Sequence, residues 1–111
     1  MNPAGQMAEA LAAEYLQQKG LKLLSRNYRC RFGEIDLIMQ DGPTLVFVEV
    51  RMRSNRHFGS AAESITQTKQ RKLMITAQHY LQQHGEKNSR FDAVIMSSLT
   101  AQDIQWLRDA F

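Results

Sequence analysis

The residues best suited to chemistry are two acids on neighbouring predicted strands, Asp36 and Glu49, with Arg51 close behind the second. Glu49 interrupts an otherwise apolar run over 45–50. A charged side chain on a central strand destabilises a fold strongly unless it is ion-paired or bound to a metal. Because Arg51 follows Glu49 by two residues, both side chains lie on one side of a regular strand. The pattern predicts a carboxylate site with a cation beside it.

Whether the two acids meet depends on the hairpin between their strands. A four-residue loop over 41–44 places Asp36 directly opposite Glu49, with Cβ atoms about 4.5–5.5 Å apart. A loop one residue shorter makes Asp36 oppose Val48, and the two acids then lie on opposite faces unless a bulge intervenes. A shared site therefore predicts the first register or a bulge.

Two neighbouring carboxylates repel each other, and a divalent cation between them removes the repulsion. Mg²⁺ prefers oxygen ligands and usually takes one or two carboxylates together with water and substrate phosphate. We therefore predict that Asp36 and Glu49 bind Mg²⁺ or Mn²⁺, which would activate water at a phosphodiester, and that Arg51 stabilises the developing charge. The alternative interpretation is a solvated sheet face on which both acids pair with Arg51 or Arg53.

The elements that must position these residues form an α/β pattern. Helical spacing of apolar residues predicts a first helix over about 4–19 and a second from a Ser64–Gln67 capping box to about His84. Runs of alternating or β-branched residues predict strands, which we place at 21–28, 35–40, 45–50 and 91–96, with a short final strand within 103–111. The predicted order is α-β-β-β-α-β, a mixed sheet with a helix on each side.

Length and composition favour one domain over residues 1–111. The chain is 43% hydrophobic and 23% charged, which is ordinary for a globular domain. Its longest apolar run, 45–48, is far shorter than the ~20 residues of a membrane span. The first ten residues lack the basic start and apolar stretch of a secretory signal, and Cys30 is the only cysteine. We therefore expect a cytoplasmic protein with no membrane association.

Positive charge is concentrated in the middle of the chain. Residues 19–72 carry eleven basic and five acidic side chains, within a chain of net charge +3 and pI near 9.3. Such a block favours a polyanionic partner such as nucleic acid. The alternative for these side chains is a solvated surface. We assign the predicted contacts with nucleic acid to six residues: Arg29, Arg31, Arg53, Arg56, Lys69 and Lys72.

Several stretches of the sequence resemble the YraN-like family of bacterial proteins. They are GEIDL at 33–37, LVFVEVRMR at 45–53, FGSAAESI at 58–65, KQRKL at 69–73 and RFDAVI at 90–95. The resemblance covers nearly the whole chain. It implies a restriction-endonuclease-like fold similar to that of Holliday-junction resolvases, and so a single nuclease-like domain that cleaves structured or branched DNA. Because resolvases tend to act as dimers, it also implies a homodimer.

The nuclease motif of that fold is an acid, a gap and then acid-x-Lys. By resemblance Asp36 matches the first acid, Glu49 the second, and Arg51 occupies the lysine position. A buried lysine can lose its proton, whereas arginine keeps its proton in proteins, so Arg51 would orient water or stabilise charge and would not act as a general base. The resemblance also implies an acid on the first helix beside the metal, which Glu9 matches. Lys69 would stand in for the missing lysine.

The sequence supports three hypotheses about function. The first is a Mg²⁺-dependent endonuclease acting on structured DNA. The second, motivated by Arg51 in the lysine position, is a non-catalytic nucleic-acid-binding or adaptor protein that keeps the nuclease fold. The third is a protein-interaction domain in which the basic block over 19–72 meets an acidic protein.

Overall fold

The predicted helices and strands are present in the structure, a computed structural model that describes residues 3–52 and 65–111. The predicted α-β-β-β-α-β order and the short final strand are confirmed. The elements are α1 (Pro3–Gln18), β1 (Lys22–Cys30), β2 (Gly33–Asp41), β3 (Thr44–Met52), α2 (Gln67–His84), β4 (Ser89–Met96) and β5 (Ile104–Leu107), the last preceded by a 3₁₀ turn (Ala101–Asp103).

The five strands form one mixed sheet in the order β1-β2-β3-β4-β5. β1, β2 and β3 are antiparallel neighbours, β3 and β4 are parallel, and β5 returns antiparallel beside β4. The middle residues of β2 and β3 are buried. This burial on both faces explains why these two strands are nearly continuous apolar runs in the sequence.

Helix α1 covers one face of the sheet. Ala8, Ala12 and Leu16 are buried against a core that includes Val46 and Val48 of β3. The small alanine side chains allow the helix to approach the strands closely, and the 3.6-residue helical period puts them on one stripe. The α1 side of the sheet is therefore closed along most of its length.

Helix α2 covers the opposite face. Leu73, Ala77 and Leu81 pack with Leu45 and Phe47, which alternate along β3 with the residues that face α1. Because successive side chains of a strand point to opposite faces, β3 contributes to both cores. The prediction of a helix on each side of a mixed sheet is confirmed.

The hairpin between β2 and β3 has the register predicted for a shared acidic site, but a shorter loop. Asp41 pairs with Thr44, so only Gly42 and Pro43 form the turn, and the predicted loop over 41–44 is wrong. Gly42 has φ +59°, a left-handed conformation that glycine adopts without strain and that tight hairpin turns require.

Helix α2 begins with a different cap from the predicted one. The Thr66 hydroxyl accepts a hydrogen bond from the backbone N–H of Lys69 at 3.2 Å. The predicted Ser64–Gln67 capping box is therefore wrong, and Ser64 lies outside the described residues. Thr66 satisfies one of the free N–H groups of the first turn. Gly85 ends the helix as predicted.

No helix in the described part of the chain is long and apolar enough to span a membrane.

Asp92 anchors the C-terminal residues to β4. Its carboxylate is fully buried and accepts hydrogen bonds from Arg90 Nε at 3.1 Å, Trp106 Nε1 at 2.9 Å and the backbone N–H of Asp109 at 3.0 Å. A buried carboxylate with three donors is fully paired, so its role is structural.

We expect Asp92→Asn to lower the free energy of unfolding by about 2 kcal/mol, because the amide removes the charge that pairs with Arg90 and replaces one acceptor with a donor. Urea unfolding followed by Trp106 fluorescence measures the loss. The control is Asp109→Asn, since the Asp109 side chain is exposed and asparagine tolerates its positive φ of 50°. Equal effects of the two substitutions would contradict the anchoring role.

Candidate active site

The acids predicted to form a site line an open pocket of about 360 Å³. Its walls come from α1, the start of β2, the carboxyl end of β3 and the first turn of α2. The charged residues that line it are Glu9, Glu34, Asp36, Glu49, Arg51 and Lys69. The tertiary structure therefore collects charged side chains from four different elements at one end of the sheet.

Asp36 and Glu49 are neighbours, as the first register requires. The β2–β3 ladder runs to the pair Leu37–Val48, and continuation of that register by one residue would place Asp36 opposite Glu49. The Glu49 carboxyl is close enough to Asp36 to raise its pKa. Asp36 Oδ2 also accepts a hydrogen bond of 2.8 Å from the backbone N–H of Val50. Both acids are more than nine-tenths buried.

The regular alternation of β2 is interrupted at Asp36. Ile35 packs in the core beneath α2, whereas Leu37 packs in the core beneath α1. Residues two apart in a regular strand face the same side. The interruption brings the Asp36 carboxyl within reach of both Glu9 on α1 and Glu49 on β3. No feature of the sequence predicted it.

Glu9 faces the sheet and lies beside Asp36. Only 7% of its surface is exposed, and its carboxyl is close enough to the Asn27 and Asp36 side chains for both to affect its pKa. Glu14, further along α1, is exposed. Asn27 was missed in the sequence analysis. It has φ +54°, and the only available signal was the tolerance of asparagine for left-handed backbone.

Burial and neighbouring negative charge raise the pKa of two of these acids, Asp36 and Glu9. Burial, followed by the adjacent Glu49 carboxyl, raises the pKa of Asp36 to about 8, and the hydrogen bond from Val50 only partly opposes this. Burial and then the negative charge of Asp36 raise the pKa of Glu9. The surroundings therefore do not stabilise all of these carboxyl groups in the charged form. A bound proton or a divalent cation offsets the excess negative charge.

Buried polar atoms without a partner are concentrated at this site. Among residues 3–52 and 65–111, the buried side-chain atoms that lack a hydrogen bond are Glu9 Oε1, Asn27 Oδ1, Glu49 Oε2 and Arg51 Nε. In folded proteins the large majority of such atoms are paired. Two of the four are carboxylate oxygens, which are the ligands that Mg²⁺ prefers. These donors fit a divalent cation.

The side chains of this site would supply only part of a metal ion's coordination sphere. Within the described ranges, no group of three or more His, Cys, Asp or Glu side chains is placed to hold a metal ion. Asp36 and Glu49 therefore offer a pair of carboxylates, with Glu9 next to them. Mg²⁺ is usually bound in this way, by one or two carboxylates with water and substrate phosphate completing the octahedron.

Two cations accompany the acids. Arg51 follows Glu49 on β3 and lines the pocket. Lys69, in the first turn of α2, has its Nζ 3.7 Å from Glu49 Oε2, which is an ion-pair distance but too long for a strong hydrogen bond. Lys69 is 38% exposed, so water or a phosphate can also reach it.

The other residues predicted to contact nucleic acid have different surroundings. Arg29 belongs to β1, which extends past the predicted strand over 21–28, and it forms an exposed ion pair with Glu34 at 2.8 Å. Lys72 is exposed on α2 and lies outside the acidic pocket. Arg53 and Arg56 lie outside the described residues, as does most of the segment that separates β3 from α2.

Arg31 lies in the turn between β1 and β2. Its guanidinium carbon is 4.8 Å from the centroid of the Phe32 ring, over the ring face. Arg31 is not among the residues that line the acidic pocket.

Comparisons with known proteins agree with the family suggested by the sequence motifs. The profile of the uncharacterised protein family UPF0102 matches residues 8–96. A UPF0102 protein of Methylobacillus flagellatus is 56% identical over 111 residues, covering all of this chain and 98% of that protein. One of Nitrosomonas europaea is 57% identical over 108 residues, covering 96% and 92%. One of Psychromonas ingrahamii is 50% identical, covering 99% and 90%. The chain therefore belongs to the UPF0102 family.

Proposed function

We propose that this protein is a divalent-metal-dependent endonuclease with a restriction-endonuclease-like fold that cleaves structured or branched DNA. The observation that carries the proposal is the concentration of buried polar atoms without a hydrogen bond around two adjoining carboxylates, Asp36 and Glu49. A structural ion-pair network would leave such atoms satisfied. A site that binds a cation and a phosphate leaves them available.

Asp36 and Glu49 would hold Mg²⁺ or Mn²⁺ in this proposal. When bound, the metal supplies an activated water and stabilises charge on the phosphodiester. The protein orients the first ligand through the backbone N–H of Val50, which donates to Asp36 Oδ2 and leaves Oδ1 for other partners. Glu9, which lies beside Asn27 and Asp36, adds a third carboxyl that would accept a hydrogen bond from a metal-bound water.

Arg51 and Lys69, the two cations of the pocket, would together take the role of the missing motif lysine. Arg51 keeps its proton and would bind the non-bridging phosphate oxygens, where its planar fork matches the phosphate geometry. Lys69 is close enough to Glu49 to donate to the same water or phosphate. An ammonium next to a reacting phosphate stabilises the charge that develops in the transition state.

Nucleic acid is the substrate class that fits the charge distribution. The acidic pocket lies in a chain whose residues 19–72 have a large excess of basic side chains. Arginines and lysines around a metal site neutralise phosphates and give salt-dependent affinity. Structured DNA and a homodimer enter the proposal from the resemblance to Holliday-junction resolvases.

A cleavage panel tests the proposal. Purified protein is incubated with four-way-junction, flapped, single-stranded and duplex DNA, in Mg²⁺, in Mn²⁺ and in EDTA. We expect cleavage of at least one branched substrate in either metal and none in EDTA, because the metal supplies the activated water. Sedimentation of the same sample measures the proposed dimer. Failure to cut any of these substrates in either metal would refute the nuclease proposal.

A non-catalytic DNA-binding protein is the second candidate, and Arg51 in place of the motif lysine favours it. Calorimetric titration with Mn²⁺ separates the two proposals. The nuclease binds Mn²⁺ and releases protons as it does so, since a raised pKa leaves Asp36 protonated at neutral pH. A binding module shows salt-sensitive DNA binding with no heat from the metal.

A further inference from the structure

A second pocket, of about 390 Å³, lies between the β1–β2 turn and the outer side of α2. Its six lining residues are Arg31 and Phe32 from the turn and Ile75, Gln78, His79 and Gln82 from the helix. The volume is within the range of pockets that bind small organic groups. The acidic site uses none of these residues.

The aromatic part of the second pocket consists of an exposed phenylalanine ring and a histidine ring that is held by a hydrogen bond. Phe32 is 41% exposed, and its ring lies 6.4 Å from that of His79 at an interplanar angle of 63°. Tyr28 Oη and His79 Nδ1 form a hydrogen bond of 2.6 Å, which fixes the imidazole and leaves Nε2 without a partner among the described residues. An exposed aromatic ring beside an arginine is the composition on which proteins stack nucleobases.

The polar part of the pocket presents amides at matched positions. Gln78 and Gln82 are four residues apart and therefore lie on the same side of α2. Each carboxamide offers both a donor pair and an acceptor, which is the pattern needed to bind the edge of a base. Ile75, which is 44% exposed, adds an apolar surface beside them. Arg31 adds the positive charge that a nucleotide phosphate requires.

The β1–β2 turn lies between the two pockets and packs closely against α2. Glu34 lines the acidic pocket, and Phe32, two residues earlier, lines the second. Gly33 between them has φ +155°, and a Cβ there would lie only 3.1 Å from Thr76 Oγ1. Lys69 and Gln78 are about 14 Å apart along α2 and half a turn apart around it, so the connection between the pockets runs over the β1–β2 turn. Because Phe32 and Glu34 are only two residues apart, one nucleic-acid strand that crosses this turn can reach both pockets.

We propose that this second pocket binds a single unpaired nucleobase of the nucleic acid whose phosphate is held at the acidic pocket. The inference rests on the proposed nuclease function for the identity of the ligand. Phe32 stacks on the base, Gln78 and Gln82 bind its edge, and Arg31 contacts the adjoining phosphate. A paired base cannot enter because its edge and faces are already occupied, so the pocket selects DNA with unpaired bases.

Anisotropy measurements on Phe32→Leu test the base pocket. The probes are a duplex with a single-stranded flap and a fully paired duplex of the same length, both in EDTA so that neither is cut. We expect Phe32→Leu to weaken binding of the flapped DNA about tenfold and that of the paired duplex less than about twofold, since one stacked base is lost. The double variant Gln78→Ala/Gln82→Ala should show the same selectivity. Met74→Leu is the control, because Met74 is 40% exposed on α2 and lines neither pocket.

The outcomes separate this inference from the nuclease proposal. Unchanged affinity of folded Phe32→Leu and of the glutamine double variant for flapped DNA overturns the base pocket, whatever the cleavage panel shows. Selective loss of flap binding in a protein that cuts no DNA supports the base pocket and overturns the nuclease. Absence of binding to either DNA at low salt overturns both. Fluorescence quenching of a 2-aminopurine in the flap by the wild type, lost in Phe32→Leu, gives a second readout of stacking.

Discussion

Replacing both central acids, Asp36→Asn with Glu49→Gln, should reduce metal-dependent cleavage by about 10³-fold or more, because binding of a divalent metal contributes several kcal/mol to the transition state. The amides keep the shape of the carboxyl groups but carry no charge to hold the metal. Single-turnover cleavage of the substrate found in the panel measures the effect. Mn²⁺ calorimetry on the same variant should show no binding.

DNA affinity is the informative companion measurement for this double variant. In EDTA we expect affinity within about twofold of the wild type, or slightly higher, because two negative groups next to the phosphate have been removed. Glu14→Gln is a matched control, since Glu14 is an acid on the exposed side of α1. If the double variant cuts at the wild-type rate, the metal does not bind at these two residues.

The single substitution Asp36→Asn should raise the stability of the metal-free protein at pH 8 by several kcal/mol, and the gain should vanish near pH 4. Burial and the neighbouring Glu49 raise the pKa of Asp36 from an ordinary 3.8 to about 8. Between these two values the native state holds a proton that the unfolded state has lost. The stability of the wild type therefore falls as pH rises from about 4 to about 8, and it levels off above that range. Asparagine remains uncharged throughout and still accepts the hydrogen bond from Val50.

Urea unfolding from pH 4 to pH 9 in EDTA measures this difference. The free energy of unfolding of the wild type should approach that of Asp36→Asn near pH 4, diverge from it steadily as the pH rises, and level off above about pH 8. Saturating Mg²⁺ or Mn²⁺ should restore stability to the wild type at pH 8 and leave the variant unchanged, because only the wild type binds the metal. A pH-independent gap between the two proteins would contradict a shared buried proton on Asp36.

Much of the fold follows from local patterns in the sequence. The 3.6-residue apolar period of α1 and the apolar run of β3 identified those elements, because these signals depend only on side chains within one element. Loop details were less accurate. Ser64 and Thr66 both belong to residue types that cap helices, and residue type alone did not indicate that Thr66 is the cap.

In a strand, residue number decides both the position and the face of a side chain. The sequence alone was therefore enough to predict that Asp36 and Glu49 lie on adjoining strands. It was also enough to predict that one of two hairpin registers would bring them together. Only the tertiary structure selected that register and interrupted β2 at Asp36. Tertiary packing also placed Glu9 of α1 and Lys69 of α2 beside the two acids, and it placed Phe32 against the outer side of α2. Contacts between residues distant in the chain depend on how whole elements pack, and no local pattern encodes that packing.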